Sequence, residues 1–155
     1  MNKLKFLILS FFIIACNSKN ETFEGDLFFK FVEFGSFYGA DDSSIKTIEM
    51  KMDSIRLNKN ASEEDLKVIA FINKLKKNNL LKSPWINLKV KDSVIKVYLN
   101  QTDYQKLEKY KYKDLKRRNK KIKLKLDVEL KDSELYFCNK ILSMEEVDGK
   151  TDFKK

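Results

Sequence analysis

Between Lys121 and Leu130 every second residue is apolar. Ile122, Leu124, Leu126, Val128 and Leu130 alternate with Lys121, Lys123, Lys125, Asp127 and Glu129. A period of two predicts a strand with one buried face and one wet face. The same period runs through Trp85–Lys91 and Val94–Asn100, with Ile86, Leu88, Val90, Ile95, Val97 and Leu99 on the apolar side and Asp92-Ser93 between them, which predicts a hairpin. Lys131-Asp132-Ser133 then turns the long strand into a strand-like stretch at Glu134–Leu142, and the triplet Lys-Asp-Ser in both links suggests reused turn chemistry.

Elsewhere the period is helical. Ile45, Ile48, Met52 and Ile55 form one stripe between Ser43 and Asn58; Leu66, Ile69, Ile72 and Leu75 form a second, opened by Ser62-Glu63-Glu64-Asp65, a near capping box. Thr102-Asp103-Tyr104-Gln105 reads as a capping box for a short helix to Tyr110. Asp26–Phe34 is dense in aromatic and β-branched residues, with Leu27, Phe29 and Phe31 on one face and Phe28, Val32 and Phe34 on the other. A strand apolar on both faces needs cover on both sides.

The order is therefore strand, two helices, hairpin, short helix, hairpin, an α+β chain with a small antiparallel five-stranded sheet. With the two helices set aside, this order over residues 25–34 and 85–147 resembles the OB-fold, a five-stranded barrel. The two-helix insertion follows the first strand and the short helix follows the third. An open antiparallel sheet with helices on one face is the competing arrangement. The resemblance implies a ligand surface on the second and third strands, where Trp85, Asn87, Lys89, Lys96 and Tyr98 occupy the wet face. Trp and Tyr beside Lys suit stacking on a sugar or base, and equally suit cross-strand pairing that stabilises a hairpin.

The N-terminus follows different rules. Lys3 and Lys5 precede ten apolar or small residues, Phe6 to Ala15, and then Cys16. A basic start before a short apolar run is a secretory signal; as a helix the run spans about 15 Å, half a bilayer core. Ile13-Ile14-Ala15-Cys16 resembles the bacterial lipobox. That resemblance implies removal of residues 1–15 and acyl chains on Cys16, which would attach the protein to a membrane of the cell envelope. Asn17 in place of Asp after the Cys implies the outer membrane, by the enterobacterial sorting pattern. Residues 16–24 are then expected to form a lipidated tether, 25–148 one domain and 149–155 a polar tail.

Composition removes whole classes of chemistry. Of 155 residues 43% are hydrophobic and 35% charged, so the chain can bury a core. It has no His, which removes Ser-His-Asp and Cys-His catalysis and His-based zinc sites. Its two Cys cannot build a disulfide framework, and Cys138, among aromatics in Tyr136-Phe137-Cys138, reads as a small buried hydrophobe. Ser43-Ser44-Ile45-Lys46 matches a bare Ser-x-x-Lys pattern without the partner motifs that such enzymes need. Acids cluster at Asp41-Asp42, Glu63-Glu64-Asp65 and Glu145-Glu146, the first two where helix N-termini favour them. No cofactor or metal is implied, and an envelope enzyme using carboxylates or a lysine is the alternative to a binding module.

Charge is unevenly spread. Residues 20–65 hold 11 acids and 5 bases, net −6; residues 106–131 hold 12 bases and 4 acids, net +8. The basic run includes Lys121 and Lys123 and is interleaved with Tyr104, Tyr110 and Tyr112. In a cytosolic protein this pattern would suggest nucleic acid. For an exported lipoprotein the fitting partners are an envelope protein, a glycan or an anionic lipid headgroup.

Overall fold

A computed structural model describes residues 20–30, 34–58 and 60–154. Cys16 and the segment Phe31–Glu33 of the first predicted strand lie outside the described residues. Among the described residues, six strands and four helices follow in the order β1 (Asn20–Lys30), α1 (Asp42–Leu57), α2 (Glu63–Lys77), β2 (Trp85–Val90), β3 (Ser93–Tyr98), α3 (Gln101–Leu107), α4 (Tyr112–Arg118), β4 (Lys120–Asp132), β5 (Leu135–Asp148) and β6 (Phe153–Lys154).

The first five strands close into a ring. β1 pairs antiparallel with β2 and with β4, β2 with β3, and β4 with β5; β3 and β5 close the circuit in parallel, Val97 opposite Tyr136 and Tyr98 opposite Phe137. This is an OB-like barrel. The ring is possible because β1 changes partners along its length, from β4 at Asn20–Asp26 to β2 at Asp26–Phe28. Gly25 sits at the changeover, and a Cβ there would collide with the Lys89 carbonyl. The close approach of the two backbones thus requires glycine.

The barrel interior holds Leu27, Ile86, Leu88, Val97, Leu99, Ile122, Leu124, Leu126, Val128 and Cys138, joined by Leu107 of α3 and Leu115 of α4. The alternation in β4 places Ile122, Leu124, Leu126 and Val128 at 0–1% exposure, as its period demands. Leu130 breaks the pattern at 36% exposure, because the β4–β5 register shifts between Leu130 and Asp132. Burial pushes the Cys138 thiol up to about 12, which keeps it a neutral apolar filler.

The helical insertion stands on the outside. α2 packs Leu75 against Tyr98 and Leu135, and α1 meets α2 through Met52, Ile69 and Ile72. Ser62 caps α2 by accepting from the Asp65 N–H at 3.1 Å, and Asp41 caps α1 through the Ser44 N–H at 2.8 Å. Leu66, counted into the α2 stripe from its spacing, is 47% exposed: the first turn of α2 extends beyond the surface it packs on.

Several boundaries differ from those the periodicity predicts. Among the described residues, strand pairing already includes Asn20–Glu24, ahead of Gly25, because Glu21, Thr22 and Phe23 pair with Val128, Asp127 and Leu126. A polar segment becomes strand here because β4 offers it a partner edge. The chain end is also docked. Buried Thr151 donates from its hydroxyl to the Lys120 carbonyl, and β6 runs parallel to β1 at Phe29 and Lys30. The short helix starts two residues earlier than its capping box suggested, since the Asn100 side chain accepts from the Asp103 N–H at 2.8 Å. α4 has no side-chain cap and only Leu115 buried, so its sequence carries no helical stripe; Asn119, at φ 51°, ends it. The two Lys-Asp-Ser triplets do not share a conformation: Lys91 takes φ 53° in the two-residue link of β2–β3, whereas Lys131 and Asp132 still belong to β4.

Candidate functional site

The outer face of β2 and β3, where the barrel resemblance placed a ligand, is largely covered. Tyr98 is completely buried under α2 and donates its hydroxyl to the Gly35 carbonyl at 2.7 Å; Asn87 is 4% exposed. Both were expected on a wet face. The cover is the strand-to-helix link at residues 34–37, held by the Phe37 N–H to the Leu81 carbonyl (2.7 Å), the Ser36 hydroxyl to the Ser83 carbonyl (2.5 Å) and Lys96 Nζ to the Phe34 carbonyl (2.8 Å). Strand alternation tells which side a residue faces, but not whether an insertion lies on that side.

The remaining candidates scatter. Trp85 is half-buried, with Lys96 Nζ 4.9 Å from its ring centre and the backbone of Gly35 laid against the indole. Lys89 pairs with Asp152, whose hydrogen bond and charge raise the ammonium pKa, and Lys121 pairs with Asp26 at 2.7 Å. Lys89, Lys121 and Lys123 come together with Lys91, Glu24 and Asp26 around a groove of about 260 Å³. The acids there offset part of the charge. The basic run of residues 106–125 is dispersed in the same way: Lys106 pairs with Asp103, Arg118 with Glu146 and Lys120 with Asp148, while Lys109 and Lys116 lie over the rings of Tyr110 and Tyr112.

The Ser-x-x-Lys pattern resolves into a helix start. Ser43 Oγ donates to Asp41 Oδ1 at 2.6 Å, and the hydrogen bonds from Ser43 and Ser44 hold the Asp41 carboxyl well below the usual carboxylate range. The acidic clusters have structural partners as well: Asp42 with Lys82, Glu63 with Lys67 at 2.7 Å, Asp65 with the Ser62 hydroxyl at 2.6 Å, and Glu146 with Arg118. Among the described residues, no group of three His, Cys, Asp or Glu could hold a metal ion, and no helix is long and apolar enough to cross a membrane.

A concavity of about 500 Å³ lies beside the covered face. The end of β1, the start of β2, the link at 34–38 and the α3–α4 segment line it. Its walls are aromatic. Tyr38 and Tyr104 meet edge to face with ring centres 5.1 Å apart, and Phe29 and Tyr112 lie 5.9 Å apart. Tyr38 is 38% exposed, and Tyr104, Tyr110 and Tyr112 are half-buried, so their rings are only partly used by the core. The Tyr38 hydroxyl accepts from Gln101 Nε2 at 2.8 Å. Burial, then the neighbouring Tyr38 and Glu108, raises the Tyr104 phenol pKa and keeps it a neutral donor. Sequence reading singled out Tyr104, Tyr110 and Tyr112 as interleaved with lysines. It did not connect them to Tyr38, because more than sixty residues separate them and only the barrel brings the two segments together.

Comparison with protein-family models, with curated proteins and with solved structures finds no match to this chain. The function has to be argued from the sequence and the geometry alone.

Proposed function

We propose that this chain is a lipid-anchored binding protein of the bacterial cell envelope, held through acyl chains on Cys16 and acting by binding rather than catalysis. One observation carries the reading: two lysines, a ten-residue apolar run and Ile13-Ile14-Ala15-Cys16 stand in lipobox order. An anchor of two or three acyl chains is effectively permanent, since each buried methylene adds roughly 0.8 kcal/mol of membrane affinity. The fold is compatible with such an anchor. β1 is already paired at Asn20, so three residues join the acylated position to the barrel, and the four backbone steps from Cys16 to Asn20 reach at most about 14 Å. The protein would work close to the bilayer surface, not on a long leash. A binding role is supported by the aromatic cleft, and by the engagement of Ser43 and Asp41 in a helix cap, where they do structural work.

The test is expression in a bacterium that processes lipoproteins, with labelled palmitate. The wild-type chain should take up label and sediment with membranes. Cys16→Ser should lose the label and leave the membrane fraction. A Cys16→Ser protein that stays fully membrane-bound would show that the anchor is misassigned.

A further inference from the structure

We propose that the aromatic cleft between β1, β2 and the α3–α4 segment binds a short, neutral oligosaccharide. This deepens the reading of the chain as a binding module and rests on it. A pyranose ring has an apolar C–H face and a rim of hydroxyls. The lining of the cleft includes four tyrosines, Tyr38, Tyr104, Tyr110 and Tyr112, a residue type that joins an electron-rich apolar face to a polar tip. Tyr38 already accepts a hydrogen bond from Gln101, so its own proton remains to be donated. Glu108, also in the lining, is an acceptor of the kind that sugar hydroxyls need.

Size and charge narrow the ligand class. A volume of about 500 Å³ falls within the roughly 300–1,000 Å³ of small-ligand sites and suits a few sugar rings. Lys30 and Lys111 outnumber Glu108 by one, so the lining carries a single net positive charge, well short of the positively charged groove that a polyanion such as nucleic acid would call for. An acyl chain would call for a lining without phenols, carboxylate or amines. The cleft borders the covered β2–β3 face and takes in Trp85 and Asn87 of β2 at its edge.

Trp85, the chain's single tryptophan, lines the cleft and supplies an optical reporter. The experiment titrates the detergent-solubilised full-length protein, and in parallel its Cys16→Ser form, with chitotriose, cellotriose and maltotriose. Calorimetry and Trp85 emission are the readouts. At least one trisaccharide should bind saturably, with a dissociation constant on the order of 0.1–1 mM. Tyr104→Ala and Tyr112→Ala should each weaken binding at least tenfold while melting cooperatively, and Tyr112→Phe, which keeps the ring, should retain most of it. Silence in both readouts with all three sugars, or unchanged binding in both alanine variants, would overturn the proposal. So would tighter binding of oligothymidylate or decanoate than of any sugar. The two readings fail separately: sugar binding without acylation removes only the anchor, and acylation without sugar binding removes only the site.

Discussion

Gly35 lies flat against the indole of Trp85, so close that a Cβ at position 35 would occupy the space of the ring. Its carbonyl accepts the hydroxyl of buried Tyr98. One residue without a side chain thus fastens the link at 34–37 over the β2–β3 hairpin and forms part of the cleft wall.

Gly35→Ala should therefore force the link away from Trp85. Overpacking of this kind costs about 1–3 kcal/mol. The variant should melt at lower temperature than the wild type, and the emission of its single tryptophan should shift to the red as the ring gains water. An unchanged melting curve with unchanged emission would mean that the link does not sit on the indole.

Leu126 is fully buried in the barrel, whereas Lys123, three residues earlier on the same strand, is exposed. Leu126→Ala should cost about 2–5 kcal/mol, a large part of the stability of a domain this size. Lys123→Ala should change stability by no more than about 0.5 kcal/mol. Urea unfolding of both variants checks this. Equal losses would contradict the assignment of faces in β4.

The Cys138 thiol gives a pH dependence with a definite sign. Its folded value is raised from 9.0 to about 12, first by burial. Below pH 9 the thiol is neutral in both states and contributes no slope. Between 9 and about 12 the unfolded chain gives up a proton that the folded chain retains, so stability falls as pH rises. Cys138→Ala should lower stability at neutral pH through the cavity it leaves, yet show a shallower decline between pH 9 and 11 than the wild type. Thiol reagents should modify native Cys138 slowly and the urea-unfolded chain fast. Fast modification of the native protein would place the thiol at the surface.

Much of this molecule was legible in its sequence. The alternation at 121–130 and 85–99 set the strands and their inner faces, because a period of two admits only one buried side. The stripes at 45–55 and 66–75 set two helices, and the cap at Ser62 is local chemistry that acts within one turn. Element order suggested an OB-like barrel with an open antiparallel sheet as its competitor, and the pairing of β3 with β5 decides for the closed ring. The proposed lipobox reading of Phe6–Cys16 rests on composition and order alone.

The tertiary structure decided what lies on the outer faces. Tyr98 and Asn87 alternate outward as predicted and are nonetheless buried, and over Tyr98 the cover is α2 and the link at 34–37, brought from far away in the chain. Asn20–Glu24 and Thr151–Lys154 read as polar ends, yet β4 and β1 supply backbone partners that polar side chains do not advertise. The cleft, too, arises only on folding: Tyr38 and Tyr104 belong to segments whose separation in sequence leaves no periodic trace. Period and cap chemistry act between residues a few positions apart, whereas cover, docking and concavity depend on which distant surfaces the closed barrel brings into contact.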